Sequence, residues 1–510
     1  MVNELQSRTE DLKSKFTEQL LRWGMGDDEK EVSDVVSELL GNVDPEMTWG
    51  QKGRSQDAAE LERKHRDVLL RTFEMSNEEA RSLATSLVLW GFVIAAGIIV
   101  AKSEVGADDS IAAAEDLPVR HRIVFVTGEW FPRNGGISTF NSALAKSLAE
   151  LEQSVVCYLP RATEEEVSDA SRANVRLIVS QPSKFINDLS AQLLIKIPDE
   201  LRDFHPDLIV GHDRRSGGIA IELRDRFFAG AKTCVIAHTA PHAIEKFKTD
   251  RKGIEEIAFG AEVRTAELVR NLHGADVAIA VGPRLQRKMM HVVGIDKEIG
   301  NLIPGCTILD KRPPIRANRF ILLFGRAEDS YLKGIDLAHD VARVLRGRGR
   351  HAYEWGIRGV PEGDLPGFIQ KYRHFELSER YSPDPIVVES AIERSTLVLM
   401  PSLEEGFGLV ALEAIAHNRP VLISAESGVA EYLRKECPDA AEFFIVSTID
   451  RSKGMPRFDN VVREWVKAIE RVFDNWETAE SKLKQLREKL KANGDWRRAG
   501  VDFLSLCFPI

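Results

Sequence analysis

The chain has 510 residues, too many for one core, since single cores stop growing at roughly 250 to 300 residues; two or three domains are expected. With 43% hydrophobic, 29% charged and 7% aromatic residues, the composition is that of a globular protein rather than a disordered one. The 69 basic and 79 acidic side chains leave a net charge of -10, which speaks against nucleic acid as a partner and leaves room only for local basic pockets that hold phosphate.

The first 82 residues are charged and rich in helix formers. Leu61, Val68, Leu69 and Phe73 are spaced as one face of a helix, so a helical region is expected over 1–82. No secretory signal is evident in the first forty residues. The five cysteines, Cys157, Cys234, Cys306, Cys437 and Cys507, form no C-x-x-C pair, and a reduced, cytoplasmic protein is expected. Residues 83–101 (LATSLVLWGFVIAAGIIVA) are nineteen uncharged residues between Arg81 and Lys102, just long enough to cross a ~30 Å hydrocarbon layer. They read as a single membrane anchor or as a buried helix of a small bundle, with Thr85, Ser86 and two glycines keeping both readings open. Residues 102–119 read as a linker.

From residue 120 the pattern changes to short apolar, β-branched runs alternating with helical segments, the sequence form of a parallel sheet covered on both faces. Strands are expected at 123–127, 155–158, 208–210, 233–237 and 277–281, and a second series at 320–324, 397–400 and 421–423. Between the series, DKRPPIRANR (310–319) has the paired prolines and charges of an exposed hinge. The fold class is therefore α/β: two Rossmann-like, doubly wound domains, 120–312 and 313–495, facing across a cleft and preceded by the helical region. A long amphipathic helix is expected over 461–490, and the apolar end 496–510 is expected to pack back on the body.

Three segments carry chemistry. TGEWFPRNGGIST (127–139) sets Gly135 and Gly136 before a helix at 137–151, where backbone N–H groups can approach a phosphate or a sugar; a tight turn that merely needs φ > 0 explains the glycines equally well. After the strand at 320–324, GRAEDSYLKG sets Arg326 and Lys333 where ligands of open sheets sit, and two cations there could clamp a diphosphate leaving group. PSLEEGFGLVALEAIA (401–416) is the most informative: Gly406 and Gly408 open a helix, and Glu405 and Glu413 stand eight residues apart, so both can face one ligand and accept hydrogen bonds from sugar and ribose hydroxyls. Acidic residues at a helix start do not by themselves account for the glycines, the aromatic Phe407 and the second glutamate together.

EGFGLVALEA, with GRAEDSYLKG upstream and NRPVLISAESGVAEYL downstream, resembles the E-x7-E element of family 4 of the retaining glycosyltransferases, which have the GT-B fold. The resemblance covers about 120–510 and not the N-terminal region. It implies that Glu405 contacts the donor sugar and Glu413 the ribose, that Arg326 and Lys333 bind the diphosphate, and that Gly136 approaches the donor from the opposite domain. Gly406, Phe407, Gly408 and Leu409 belong to the same donor-binding element. It also implies that no metal or other cofactor is needed, the nucleoside diphosphate sugar being a co-substrate. Of three histidines at strand ends, His212, His238 and His242, the family's pattern favours His238 near the reacting sugar, with His242 the alternative. The sequence departs from the family's pattern in the longer spacing between Arg326 and Lys333, in IPGCTILD at 303–310 and in AHNRP at 416–420.

The expected function is transfer of a sugar, with retention of configuration, from a nucleoside diphosphate sugar to an acceptor that is a glycan, a lipid or a small molecule. The alternatives are a non-catalytic module that senses a nucleotide sugar or glycan, and another two-domain enzyme of the same fold, such as an epimerase or phosphorylase, which the EGFGL element disfavours.

Overall fold

The computed structural model describes residues 120–509, apart from 133–134, 182–191, 248–253, 295–296, 315–318, 327, 351, 361, 374, 376–383 and 450–457. The expected helical region 1–82, the apolar segment 83–101 and the linker 102–119 lie outside the described residues. Among those described, no helix is long and apolar enough to cross a membrane.

Two parallel sheets organise the chain. The first contains β1 (Arg122–Val126), β2 (Ser154–Leu159), β3 (Val175–Val179), β4 (Leu208–His212), β5 (Lys232–Ala237), β6 (Val277–Val281) and β7 (Gly300–Leu302), in the order β3-β2-β1-β4-β5-β6-β7. The second contains β8 (Phe320–Phe324), β9 (Glu354–Arg358), β10 (Leu397–Met400), β11 (Val421–Ser424) and β12 (Ile445–Val446), in the order β12-β11-β10-β8-β9. Both orders reverse beside the first strand of their sheet, between β1 and β4 and between β8 and β10. In open sheets the crevice for a ligand opens there, beyond the carboxyl ends of the strands. The expected pair of doubly wound domains is what the chain forms.

The described helices of eight or more residues are α1 (Gly136–Glu150), α2 (Glu164–Arg172), α3 (Arg215–Phe227), α4 (Ile254–Gly274), α5 (Pro283–Val293), α6 (Ile335–Gly347), α7 (Pro385–Arg394), α8 (Leu409–Ala416), α9 (Gly428–Glu436), α10 (Phe458–Asp474), α11 (Trp476–Asn493) and α12 (Trp496–Cys507). In β1 successive side chains face opposite ways, and both ways lead into packed core. Ile123 and Phe125 join the cluster containing Phe140 and Leu144 of α1, while Val124 and Val126 pack with Ile219 and Leu223 of α3. Burying each such side chain contributes about 1.5–3 kcal/mol, which is why the central strands are unbroken apolar runs.

The chain returns to its starting domain at the end. Helix α12, capped by the Asp495 side chain, packs on α1: Ser147 Oγ donates to the Trp496 carbonyl at 2.6 Å, and Phe503 is fully buried 6.2 Å from Phe125, ring centre to ring centre. Gly305 and Gly500 allow the crossing, since a Cβ at Gly305 would stand 2.3 Å from Trp496 N and one at Gly500 2.6 Å from Ser147 Oγ. The single helix expected over 461–490 is instead two, α10 and α11, broken at Asn475 (φ -118°, ψ 52°). Its side-chain amide donates to the Arg471 carbonyl at 3.1 Å, a local bond that competes with the helix ladder, and Trp476 turns inward against Phe473. All five cysteines are free thiols, four of them buried.

Candidate active site

The loop after β10 is held in place from both sides, by backbone hydrogen bonds and by two close approaches that need glycine. Leu403 N donates to the Leu332 carbonyl at 2.8 Å, which brings the Lys333 segment alongside it. Gly334, in the left-handed region at φ 69°, passes so close that a Cβ would meet the Pro401 carbonyl oxygen at 2.0 Å. On the other side Glu405 N donates to the Glu426 carbonyl at 3.0 Å, and Val429 N to the Phe407 carbonyl at 2.8 Å. A Cβ at Gly428 would stand 2.4 Å from the Gly406 oxygen, so the downstream SGVAEYL segment fits only with glycine at that position.

The result is an inner cavity of about 450 Å³ whose walls include Arg326, Lys333, Glu405, Glu413, Gly136 and His238. Phe407, Gly408 and Leu409 line it as well, with Gly406. Lys333 Nζ donates to Glu405 Oε2 at 2.6 Å, and Ser402 Oγ donates to the same oxygen at 3.1 Å. Gly408, at φ 104°, starts α8 and leaves its first N–H groups uncapped by any side chain. Glu413, one turn further, is the fifth residue of that helix. Burial, aided by repulsion from Glu389, pushes its carboxyl up to about 7.

The first domain supplies the facing wall. Gly135 takes φ 124°, a conformation that L side chains rarely adopt, and a Cβ there would be 3.4 Å from Arg326 Nη2; one at Gly136 would touch Leu409 at 3.5 Å. The turn needs Gly135, and Gly136 meets the second domain. Gly406 backs onto His238, where a Cβ would be 2.2 Å from the histidine's carbonyl oxygen.

Beyond this junction lies an outer cavity of about 850 Å³, walled mainly by the strand ends of the first domain and sharing Gly135, Gly136, Ile137, Thr239, Ile244, Arg326 and Asp329 with the inner one. His212 lines it and His238 lines the inner one, 2.9 Å apart from His212 Nδ1 to His238 Nε2. His212 Nε2 is 2.8 Å from Asn141 Oδ1, an oxygen that can only accept. His212 therefore carries its proton on Nε2 and accepts on Nδ1, so His238 donates from Nε2 and keeps Nδ1 as an acceptor. Burial pushes His212 down to about 3 and His238 well below its ordinary value, the latter also by the neighbouring His212, so both rings are neutral. His242 is exposed and lines neither cavity.

Residues 124–503 match the family described as family 4 glycosyltransferases in conflict systems. The chain belongs to this family. Among curated proteins it is similar to the D-inositol 3-phosphate glycosyltransferase of Nocardia farcinica, with 26% identity over 335 residues, 59% of this chain and 72% of the relative. Among solved structures it is similar to sucrose-phosphate synthase from Thermosynechococcus elongatus (TM-score 0.56, 19% identity, 76% of this chain and 98% of that one). It is also similar to Anabaena HepE in complex with UDP and glucose (TM-score 0.55, 15% identity, 77% and 100%). The fold is GT-B, and the protein is a glycosyltransferase.

The structure adds site residues to this glycosyltransferase that the sequence reading passed over. Arg358, the last residue of β9, is buried and lines the inner cavity. Asn141 fixes the histidine pair, and Ser402 braces Glu405. Asp213 turns the chain after β4 at φ 48°, and its carboxylate accepts from His238 N at 2.7 Å and from Thr239 Oγ1 at 3.1 Å, so it sets the backbone that presents His238. Burial pushes Asp213 up to about 6. The polar residues clustered after β4 in GHDRRS were the available signal, of which only His212 had been singled out. The two domains are also tied by charge: Arg284 of α5 reaches Glu404 at 3.0 Å, Glu431 at 3.2 Å and Glu426 at 3.4 Å, while Lys288 reaches Glu404 at 2.6 Å.

Proposed function

We propose that this glycosyltransferase takes its sugar from a nucleoside diphosphate sugar, retains the anomeric configuration and requires no metal ion. The observation that carries the reading is the convergence of Arg326, Lys333, Glu405, Glu413 and an uncapped helix start on one cavity of about 450 Å³. Arg326 and Lys333 answer the two phosphates. Glu405 answers sugar hydroxyls and Glu413 the ribose diol, since a carboxylate accepts the hydrogen bonds that hydroxyls donate. The Lys333–Glu405 pair opens when the donor arrives, lysine to phosphate and glutamate to sugar.

In the reaction the bond from the anomeric carbon to the phosphate oxygen breaks, with its electron pair leaving on the diphosphate. The acceptor oxygen bonds to the same face of that carbon, and its proton passes to the departing phosphate. Arg326 and Lys333 stabilise the charge that builds on the leaving group, the service a metal ion performs in other transferases. Removing one such stabiliser typically costs about 10²–10³ in rate. Neither glutamate acts as a covalent nucleophile: Glu405 is engaged by Lys333 and Ser402, and Glu413 answers the ribose rather than the anomeric carbon. Neutral His238, with Nδ1 as acceptor, receives a sugar hydroxyl at the junction of the cavities.

Incubation with UDP-, GDP- and ADP-sugars, in EDTA and in magnesium, tests the reading through nucleotide release and the anomer formed, followed by NMR. One donor should be turned over equally in both buffers, with the configuration kept. No release from any donor, abolition by EDTA, or inversion at the anomeric carbon would each overturn the corresponding part.

A further inference from the structure

One cation of the inner cavity has no part in the donor reading. Arg326 and Lys333 answer the phosphates, but Arg358, the last residue of β9, is 3% exposed and lines the same space. In the second sheet β8 separates β9 from β10, whose loop carries Glu405 and the start of α8. With neighbouring strands about 4.8 Å apart, the end of β9 lies roughly 10 Å from the end of β10. Arg358 therefore stands on the far side of the Arg326 segment from Glu405, past the phosphates rather than among them.

The wall around it suits a flat ring. Gly359 takes φ 108°, and a Cβ there would stand 2.8 Å from the Gly325 carbonyl oxygen, so backbone alone floors the cavity where β8 and β9 end. Gly325 N donates to the Arg358 carbonyl at 2.9 Å and fixes this floor. Val388 of α7 and Leu399 of β10 add apolar surface. Val388 is the neighbour of Glu389, whose charge repels Glu413, so this part of the wall borders the position of the ribose. A donor with its phosphates on Arg326 and Lys333 and its ribose at Glu413 lays its base here.

A guanidinium only donates hydrogen bonds and keeps its charge at every working pH. Bases divide on that property. Uracil and guanine present a ring carbonyl where cytosine and adenine present an amino group, itself a donor. We propose that Arg358 selects the base of the donor, favouring one that turns a ring carbonyl toward it, uracil or guanine, over its amino counterpart. The proposal rests on the donor reading of the inner cavity and adds to it the class of base. An amino group set against a guanidinium opposes donor to donor, so the discrimination works by excluding the wrong base as well as by holding the right one.

The test is calorimetric titration of the full chain with two pairs of nucleoside diphosphates that are nearly equal in shape, UDP against CDP and GDP against ADP. Within the pair that fits the slot, the carbonyl member should bind at least about tenfold tighter, the discrimination one well-placed arginine gives between bases. Arg358→Ala should bring the two members of that pair together, and Arg358→Lys, still a donor, should keep part of the preference. Arg358→Gln carries an acceptor beside its donor and should shift the ratio toward the amino member, an effect that loss of packing does not produce; it also serves where the alanine variant does not fold, with thermal unfolding as the control. Equal affinity within both pairs, or a folded alanine variant that keeps the original ratio, would overturn the proposal and leave the donor reading standing. So would a variant that weakens all four nucleotides by one factor, which would place Arg358 on the diphosphate. No binding of any nucleotide would remove the donor reading and the base assignment with it.

Discussion

Glu413 makes the inner cavity sensitive to pH in a way that can be worked through. Its carboxyl lines the cavity with no hydrogen-bond partner among the described residues, and burial lifts it from 4.5 to about 7, exposed Glu389 adding repulsion. Arg326, Lys333 and Arg358 line the same cavity, yet desolvation prevails. A ribose diol donates two hydrogen bonds, which an ionised carboxylate can accept and a protonated one cannot accept in full. If the nucleotide sugar selects the ionised form, affinity is nearly full at pH 8, falls about tenfold by pH 6 and about thirtyfold by pH 5.5. Binding at pH 6 should release close to one proton. Calorimetry in two buffers of different ionisation enthalpy reads both quantities, with a nucleotide sugar as ligand because its diphosphate has no group that titrates in this range. Glu413→Gln should bind more weakly and without a slope. The empty protein gives an independent reading of the same group. A carboxyl whose pKa is raised on folding holds its proton longer in the folded state, so its contribution favours folding at low pH and is lost as pH rises from 4.5 through about 7, a loss of about 3 kcal/mol. Chemical denaturation from pH 5 to 8 should show that loss, and Glu413→Gln should lack it. An affinity constant to within twofold between pH 6 and 8, or a slope that persists in Glu413→Gln, would refute the reasoning.

Other expectations follow from single contacts. Lys333→Ala and Arg326→Ala should each lower kcat by about 10²–10³ with thermal unfolding little changed; full activity of the Lys333 variant would remove it from the site. Gly406→Ala sets a methyl group 2.2 Å from the His238 carbonyl oxygen, so it should push the domains apart at the junction and cut kcat/KM about a hundredfold, measured in steady state. Arg284→Ala leaves Glu426 without its interdomain partner among clustered carboxylates and should destabilise the joined domains by about 2–4 kcal/mol, seen as a lower Tm and a raised donor KM. His212→Ala frees His238 to change tautomer and should lower kcat while leaving donor affinity near its original value; His212→Asn, which can still accept from His238, should lose less.

What could be read in the sequence and what could not divides along physical lines. Strands β1, β6, β8 and β10 are buried on both faces, so each is an uninterrupted apolar run that announces itself. Strand β3 (VRLIV) lies at a sheet edge with Arg176 and Val179 exposed, β9 (EWGIR) begins and ends on charges, and β7 and β12 are three and two residues long; none has a run to find. Missing β9 meant missing Arg358, because a residue at a strand's carboxyl end cannot be placed at a site before the strand is known. The inner cavity was legible for the opposite reason. Seven of its lining residues come from one continuous stretch, Glu405 to Glu413, in which Gly406 records the close approach of Gly428 and His238.

The outer cavity has no such record. Arg161 and Arg215, which line it, come from different loops, 54 positions apart, and either alone reads as a solvated cation on the surface of an acidic protein. Only the reversal of strand order between β1 and β4 sets the two loops on one wall. The same reasoning separates the histidines. His238 and His242 are four positions apart and equally plausible beside a strand, but the chain between them enters a short helix at Pro241, which carries His242 outward. His238 stays at the strand end, where Asp213 holds its amide, His212 its ring, and Gly406 packs against its carbonyl. Each of these partners lies in a different element, so the position of His238 is a property of the assembled domains. A substitution in any of the three should therefore disturb the junction between the cavities more than one at His242 does. Transfer by His242→Ala should stay within about twofold of the unmodified protein, whereas Asp213→Ala, which releases the backbone at His238 and strips a buried contact of its acceptor, should lose at least about tenfold. A large loss at His242 would place the reacting sugar elsewhere on the first domain and would undo the junction as the meeting point of donor and acceptor.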